Sequence, residues 1–124
     1  MSGNAAAAPA QHLRIYEEAG RTVIELLGEI DLAAALRITA ELDAATGRPS
    51  AELVIDLRPV EFLDCSGLRL LCRARRRVEE RGGHLTLVCP HPLIRKMLRI
   101  VGLSRVFAMT ATLSEALDGR MSAS

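Results

Sequence analysis

Apolar and polar positions alternate over residues 12–17, with Leu13 and Ile15 on one side, and a second such stretch runs over 21–27 after Ala19-Gly20. A period of two on both sides of a glycine-containing turn predicts a pair of antiparallel strands. The period then changes. Leu32, Ala35, Leu36, Thr39 and Leu42 recur at helical spacing between Asp31, a good N-cap, and Gly47, so a helix is expected with these positions facing the core. The run Leu-Val-Ile-Asp-Leu within 52–57 is too short and too β-branched for a helix and predicts a buried central strand, and Phe62-Leu63 is expected to continue into the core. From Ser66 onward Leu68, Leu71, Ala74 and Val78 share one helical face, ended by Gly82-Gly83. A strand is expected over 84–89. A third helix opens on Pro92, carries Leu93, Ile94, Met97, Leu98 and Val101, and stops at Gly102. A short last strand over 106–109 and a helix through Leu117, opened by the capping box Thr112-Leu-Ser-Glu115, complete the pattern.

Strands alternating with helices after an opening hairpin predict an α/β domain, with a mostly parallel central sheet, one antiparallel edge and about four helices. A chain of 124 residues supports one such core, assigned to residues 11–118, with small polar tails at 1–10 and 119–124 expected to be flexible. Aromatics are confined to Tyr16, Phe62 and Phe107, so the core is aliphatic. The formal charge of +1 and the scarcity of stacking residues point away from nucleic acid. Cys65, Cys72 and Cys89 are odd in number and lack a C-x-x-C spacing, which disfavours a disulfide framework or a zinc knuckle and suits reduced thiols. The first ten residues lack a basic leader and an apolar segment, and no apolar run approaches a bilayer span, so a cytoplasmic protein without a membrane is expected.

The segment from Val60 to Leu68 carries the chemistry, because a strand ends, the chain turns and a helix begins there, and functional groups in parallel α/β sheets gather at such strand ends. Ser66 is expected to expose its hydroxyl, and Gly67 beside it to permit close backbone approach. Either Ser66 or Asp64 caps the helix on a structural reading. The amides and dipole that favour a capping oxygen also favour a phosphate, so capping and modification are compatible. Asp31 carries the same pair of readings, cap or recognition. Asp64 has no second acid or histidine at a spacing that completes a metal site, so neither metal nor cofactor is expected.

The basic run of Arg73, Arg75, Arg76 and Arg77 contains the i,i+4 pairs Arg75–Glu79 and Arg76–Glu80, and Arg69, Arg73, Arg76 and Glu80 form one outer stripe. A solvated helix face and a docking surface both fit it. Enzyme signatures fail: the sixth residue after Cys65 is Leu71 and after Cys72 is Val78, where a cysteine phosphatase needs arginine. No phosphate-binding G-x-x-x-x-G-K-[ST] loop is present, and no nucleophile stands in a motif with His12, His84 or His91.

Gly28-Glu-Ile-Asp-Leu-Ala33, Leu53-Val-Ile-Asp-Leu57 and Phe62-Leu-Asp-Cys-Ser-Gly-Leu68, followed by Gly82-Gly-His-Leu85 and Leu103-Ser-Arg-Val-Phe107, resemble the STAS family of bacterial anti-sigma factor antagonists over roughly residues 12–118. The resemblance implies that Ser66 is phosphorylated by an anti-sigma factor with serine kinase activity; a phosphoserine phosphatase is expected to reset the switch, because a helix start stabilises a phosphoserine and the sequence shows no means of removing it. It also implies that Asp31 helps partner recognition; unmodified protein is then expected to bind the kinase and release a sigma factor through a surface of Asp31, Asp64, Cys65, Ser66, Gly67, Arg69 and Arg73. Family members often carry Ser or Thr where this chain has Cys65, which leaves Ser66 as the motif's single hydroxyl. Arg69 replaces a residue that is commonly small in the family. A STAS-like scaffold or lipid-transport subunit without phosphorylation is the alternative, and the oligomeric state is left open.

Overall fold

The computed structural model describes residues 12–118; the tails expected at 1–10 and 119–124 lie outside the described residues. The hairpin pairs β1 (Leu13–Glu18) with β2 (Arg21–Leu26), with Leu13 opposite Leu26 and Ile15 opposite Ile24. Ala19 and Gly20 both have positive φ, which gives the connection the twist that flanking strands need. β3 (Gly28–Ile30) follows, then α1 (Leu32–Thr46), β4 (Glu52–Asp56), β5 (Val60–Leu63) and α2 (Cys65–Glu80). β6 (His84–Val88), α3 (Pro92–Ile100), a 3₁₀ turn at Leu103–Arg105, β7 (Ala108–Thr110) and α4 (Leu113–Asp118) complete the described chain.

Five strands form the main sheet in the order β1-β2-β4-β6-β7, antiparallel between β1 and β2 and parallel elsewhere. β3 and β5 pair in parallel as a separate two-stranded sheet. The expected class is therefore found, but its strands divide between two sheets. β3 was not expected at all, because three residues are too few to display a period.

Alternation along the strands sends Ile24, Leu26, Leu53, Ile55, Leu85 and Leu87 into the main core, with Ile38 and Leu42 of α1, Leu71, Ala74 and Val78 of α2, and Ile94 and Leu98 of α3. Val23, Val54 and Val88 point the other way, onto Ala116, Leu113 and Leu117 of α4. Asp56 shares that second face. It is fully buried and is held by the Arg58 guanidinium, Nη2 to Oδ2 at 2.7 Å and Nε to Oδ1 at 3.0 Å, so the charge is paired where burial alone would be costly.

Three expectations about faces are corrected. α1 buries Ala34, Ala35, Ile38, Leu42 and Thr46, while Leu32 and Leu36 are 59% and 70% exposed. Both sets have helical spacing, but only the first continues to the end of the helix. Phe62 is half exposed on the outer side of β5, and Leu63 alone enters the core. On α2 the buried set includes Gly67 and Leu70, with Leu68 only partly covered.

The helix ends follow local rules. Gly82 has φ +76, and the amides of Gly82 and Gly83 donate to the carbonyls of Glu79 and Val78 at 3.1 and 2.9 Å, the two bonds of a Schellman stop. Pro92 opens α3, and Thr112 and Glu115 form the reciprocal capping box, Glu115 N to Thr112 Oγ1 at 3.1 Å and Thr112 N to Glu115 Oε1 at 3.3 Å. The last strand begins at Ala108, later than expected, because the Val106 and Phe107 amides donate to the Leu103 carbonyl and close the 3₁₀ turn.

Candidate functional site

The small sheet positions the site. β3 and β5 run parallel with Ile30 opposite Leu63, and the Asp64 amide donates to the Ile30 carbonyl at 3.4 Å. The next residue on each strand, Asp31 and Asp64, therefore leaves the sheet at neighbouring places, and each begins a helix. Asp31 Oδ1 accepts the Ala34 amide at 3.0 Å, and Asp64 Oδ1 accepts the amides of Ser66 and Gly67 at 2.8 and 3.2 Å. Each cap satisfies amides that the first helical turn leaves without a partner.

Asp64, and not Ser66, is thus the cap of α2. Ser66 occupies the second helical position, half-buried, and its hydroxyl makes no hydrogen bond within the described residues. Cys65 before it is exposed, and Gly67 after it is buried. A Cβ at Gly67 would stand 3.1 Å from the Ile30 carbonyl oxygen and nearer still to the Leu63 side chain, so glycine is what lets the first turn of α2 lie against the ends of β3 and β5.

Ser66 opens into a shallow groove of about 170 Å³ between α1 and α2. Leu32, Leu36 and Thr39 form one wall, and Arg69 and Arg73 stand on the other. Arg73 is committed within the fold: its Nε and Nη2 donate to Asp43 Oδ1 and Oδ2, both at 2.8 Å. That bond raises the Arg73 guanidinium above its ordinary range and holds the Asp43 carboxyl below its own. Arg69 and Arg76 have no ion pair among the described residues, so of the two expected helical pairs only Arg75–Glu79 forms, at 3.2 Å. The groove thus sets apolar side chains and an uncommitted arginine around one hydroxyl.

Among the described residues no three His, Cys, Asp or Glu side chains gather as a metal site requires. Cys65, Cys72 and Cys89 are all unbridged thiols, and burial pushes the Cys89 thiol up. No helix of the described residues is long and apolar enough to cross a membrane.

Residues 12–116 match the model of the STAS domain family. The chain belongs to the STAS family. This STAS domain is 34% identical over 97 residues to the anti-sigma F factor antagonist of Lysinibacillus sphaericus, covering 77% of this chain and 82% of that one. Among solved structures it is similar to a STAS-domain anti-sigma-factor antagonist from Planctomyces limnophilus, with TM-score 0.76, 28% identity, and 86% and 95% of the two chains covered. SpoIIAA, a Bacillus cell fate determinant and anti-sigma factor antagonist solved in unphosphorylated and phosphorylated forms, matches with TM-score 0.67 and 28% identity. The match covers 86% of this chain and 94% or 96% of SpoIIAA in those two forms.

Of the residues singled out in the sequence, the structure brings Ser66, Arg69 and Arg73 to one groove, with Asp31 and Asp64 at the starts of its two helices. Leu32 and Leu36, expected in the core, belong to that groove instead. The signal available in the sequence was the competing set Ala34, Ala35, Ile38, Leu42 and Thr46, which keeps its spacing through the last turn.

Proposed function

We propose that this STAS domain is an anti-sigma factor antagonist that works in the cytoplasm by binding and not by turnover. Unmodified protein binds an anti-sigma factor with serine kinase activity through Asp31, Leu32, Leu36, Ser66 and Arg69, and a sigma factor is released. Asp64, Cys65, Gly67 and Arg73 contribute by fixing or bordering that surface. Phosphorylation of Ser66 ends the binding, and a phosphoserine phosphatase restores it.

The observation that carries the proposal is the setting of Ser66: a half-exposed hydroxyl, uncommitted within the described residues, bordered by exposed leucines and held on the first turn of a capped helix. Phosphorylation adds about −1.5 to −2 charges there. That charge lies beside Leu32 and Leu36, so a partner face shaped for a neutral hydroxyl and apolar contact would desolvate it without compensation. A penalty of about 3 kcal/mol weakens binding roughly a hundredfold. The nearby Arg69, without an ion pair among the described residues, offers the phosphate a cation within the domain itself, so the switch needs no refolding. The similarity to SpoIIAA, solved with and without its phosphoryl group, supports the same reading.

The intact mass of the protein recovered from its own cells is expected to show one added phosphoryl group that disappears in Ser66→Ala. Unmodified protein is expected to retain the anti-sigma kinase, with affinity about a hundredfold lower once Ser66 is modified. A wild-type protein that stays unmodified through growth and stress would overturn the switch and favour a constitutive STAS scaffold.

A further inference from the structure

The formal charge of +1 is unevenly distributed along the chain. Residues 65–106 hold ten of the sixteen Arg and Lys but only two of the fifteen acids, Glu79 and Glu80, a net of +8 against −7 for the rest of the chain. Many of these cations are committed to the fold. Arg73 is bound to Asp43, Arg75 to Glu79 and the Val106 carbonyl, Arg77 to Thr46 and the Asp43 carbonyl, and Arg95 to the Cys89 carbonyl. Arg69 and Arg76 are not so held within the described residues, and both are exposed.

These two arginines, together with the committed Arg73, border a groove of about 610 Å³ between α2 and the end of α3. Its floor is apolar, made by Leu68, Cys72, Val101 and Leu103, and it lies next to the Ser66 groove, with Arg69 and Arg73 between the two. Val101 is 52% exposed, and Ile100 next to it is 72% exposed, so apolar surface continues past the rim. From Cys65 to Arg76 the groove follows α2 for about 16 Å, or three helical turns. The floor takes an apolar stripe, the rim takes carboxylates, and the length fits a short helix.

We propose that this groove docks an acidic amphipathic helix of a protein partner, with apolar side chains on Leu68, Cys72, Val101 and Leu103 and glutamates or aspartates on Arg69 and Arg76. A nucleic-acid strand fits less well, because the groove offers no aromatic ring for a base and its apolar floor would face a sugar-phosphate chain. A bilayer surface fits less well too, since the apolar residues line a concavity and the chain has no tryptophan. This docking goes beyond the Ser66 switch, although the two grooves share Arg69 and Arg73.

The test uses isotope-labelled full-length protein titrated with a synthetic helical peptide of about 14 residues, a leucine stripe at i, i+3, i+4 and i+7 flanked by glutamates, followed by NMR. Saturable shifts are expected over residues 65–76 and 101–103, weakening as salt rises. The dissociation constant is expected to rise about tenfold in the Arg69→Ser, Arg76→Ser double variant, and binding to be lost in Val101→Glu. The same peptide with lysines for glutamates should leave the spectrum unchanged. No saturable shift, a shift elsewhere, or unchanged affinity in the double variant would overturn the proposal. So would a protein that ignores the peptide but sediments with phosphatidylglycerol vesicles or binds a single-stranded oligonucleotide, which would reassign the groove and its arginines to lipid or nucleic acid.

Discussion

Asp31 and Asp64 stand one residue beyond two paired strand ends, and each caps the helix that follows, a contribution of about 1 kcal/mol apiece by analogy with other N-caps. The Asp64 side chain leaves Ser66 with an amide already satisfied and a hydroxyl available. Gly67 is the steric condition for this arrangement. Gly67→Ala is expected to cost about 1–3 kcal/mol, since Leu63 is packed on all sides and the Ile30 carbonyl cannot yield without disturbing β3. The expected observation is a lower urea midpoint with an unchanged slope; an unchanged midpoint would mean that the first turn of α2 is free to shift. The choice of Asp64 over Ser66 as cap was open in the sequence, because both residues suit that role and only the position of the helix start decides between them.

At the scale of elements, α1 and α2 are joined on the outside by Asp43, which accepts from Arg73 and lies 3.6 Å from Arg77 Nε. Hydrogen bonding to Arg73 is the main cause that lowers the Asp43 pKa, opposed by desolvation. A carboxylate whose folded pKa lies below its unfolded value, near 3.9, adds stability that is fully present above that value and fades as pH falls through the folded pKa. An Asp43→Asn, Arg73→Ala double-mutant cycle is therefore expected to show favourable coupling at neutral pH that diminishes below about pH 4. Coupling that is the same at low and neutral pH would mean that the contact is not ionic. The partnership was invisible in the sequence, where Arg73 and Asp43 are thirty residues apart and Arg73 read as a candidate docking residue. It still borders the groove, but its charge is already engaged.

At the scale of the whole molecule, β2, β4 and β6 form the covered centre of the main sheet, whereas β1 and β7 are its edges and α4 is a short helix over the second face. The amides of Ile24, Ile55 and Leu87 are expected to exchange with solvent only through global unfolding, and those of β1 and α4 through lower-energy local opening. Comparable protection across all these elements would argue against such a gradient. The sequence by itself determined the α/β class, the hairpin, and four helices with most of their caps and stops. Those features rest on interactions within a few positions of one another: strand alternation, helical repetition, capping oxygens and glycine stops. Only the tertiary structure decided that β3 pairs with β5 apart from the main sheet and that Leu32, Leu36 and Phe62 face outward. Each depends on which of several locally acceptable faces meets the core, a choice made by burying the larger and more continuous apolar surface across distant segments.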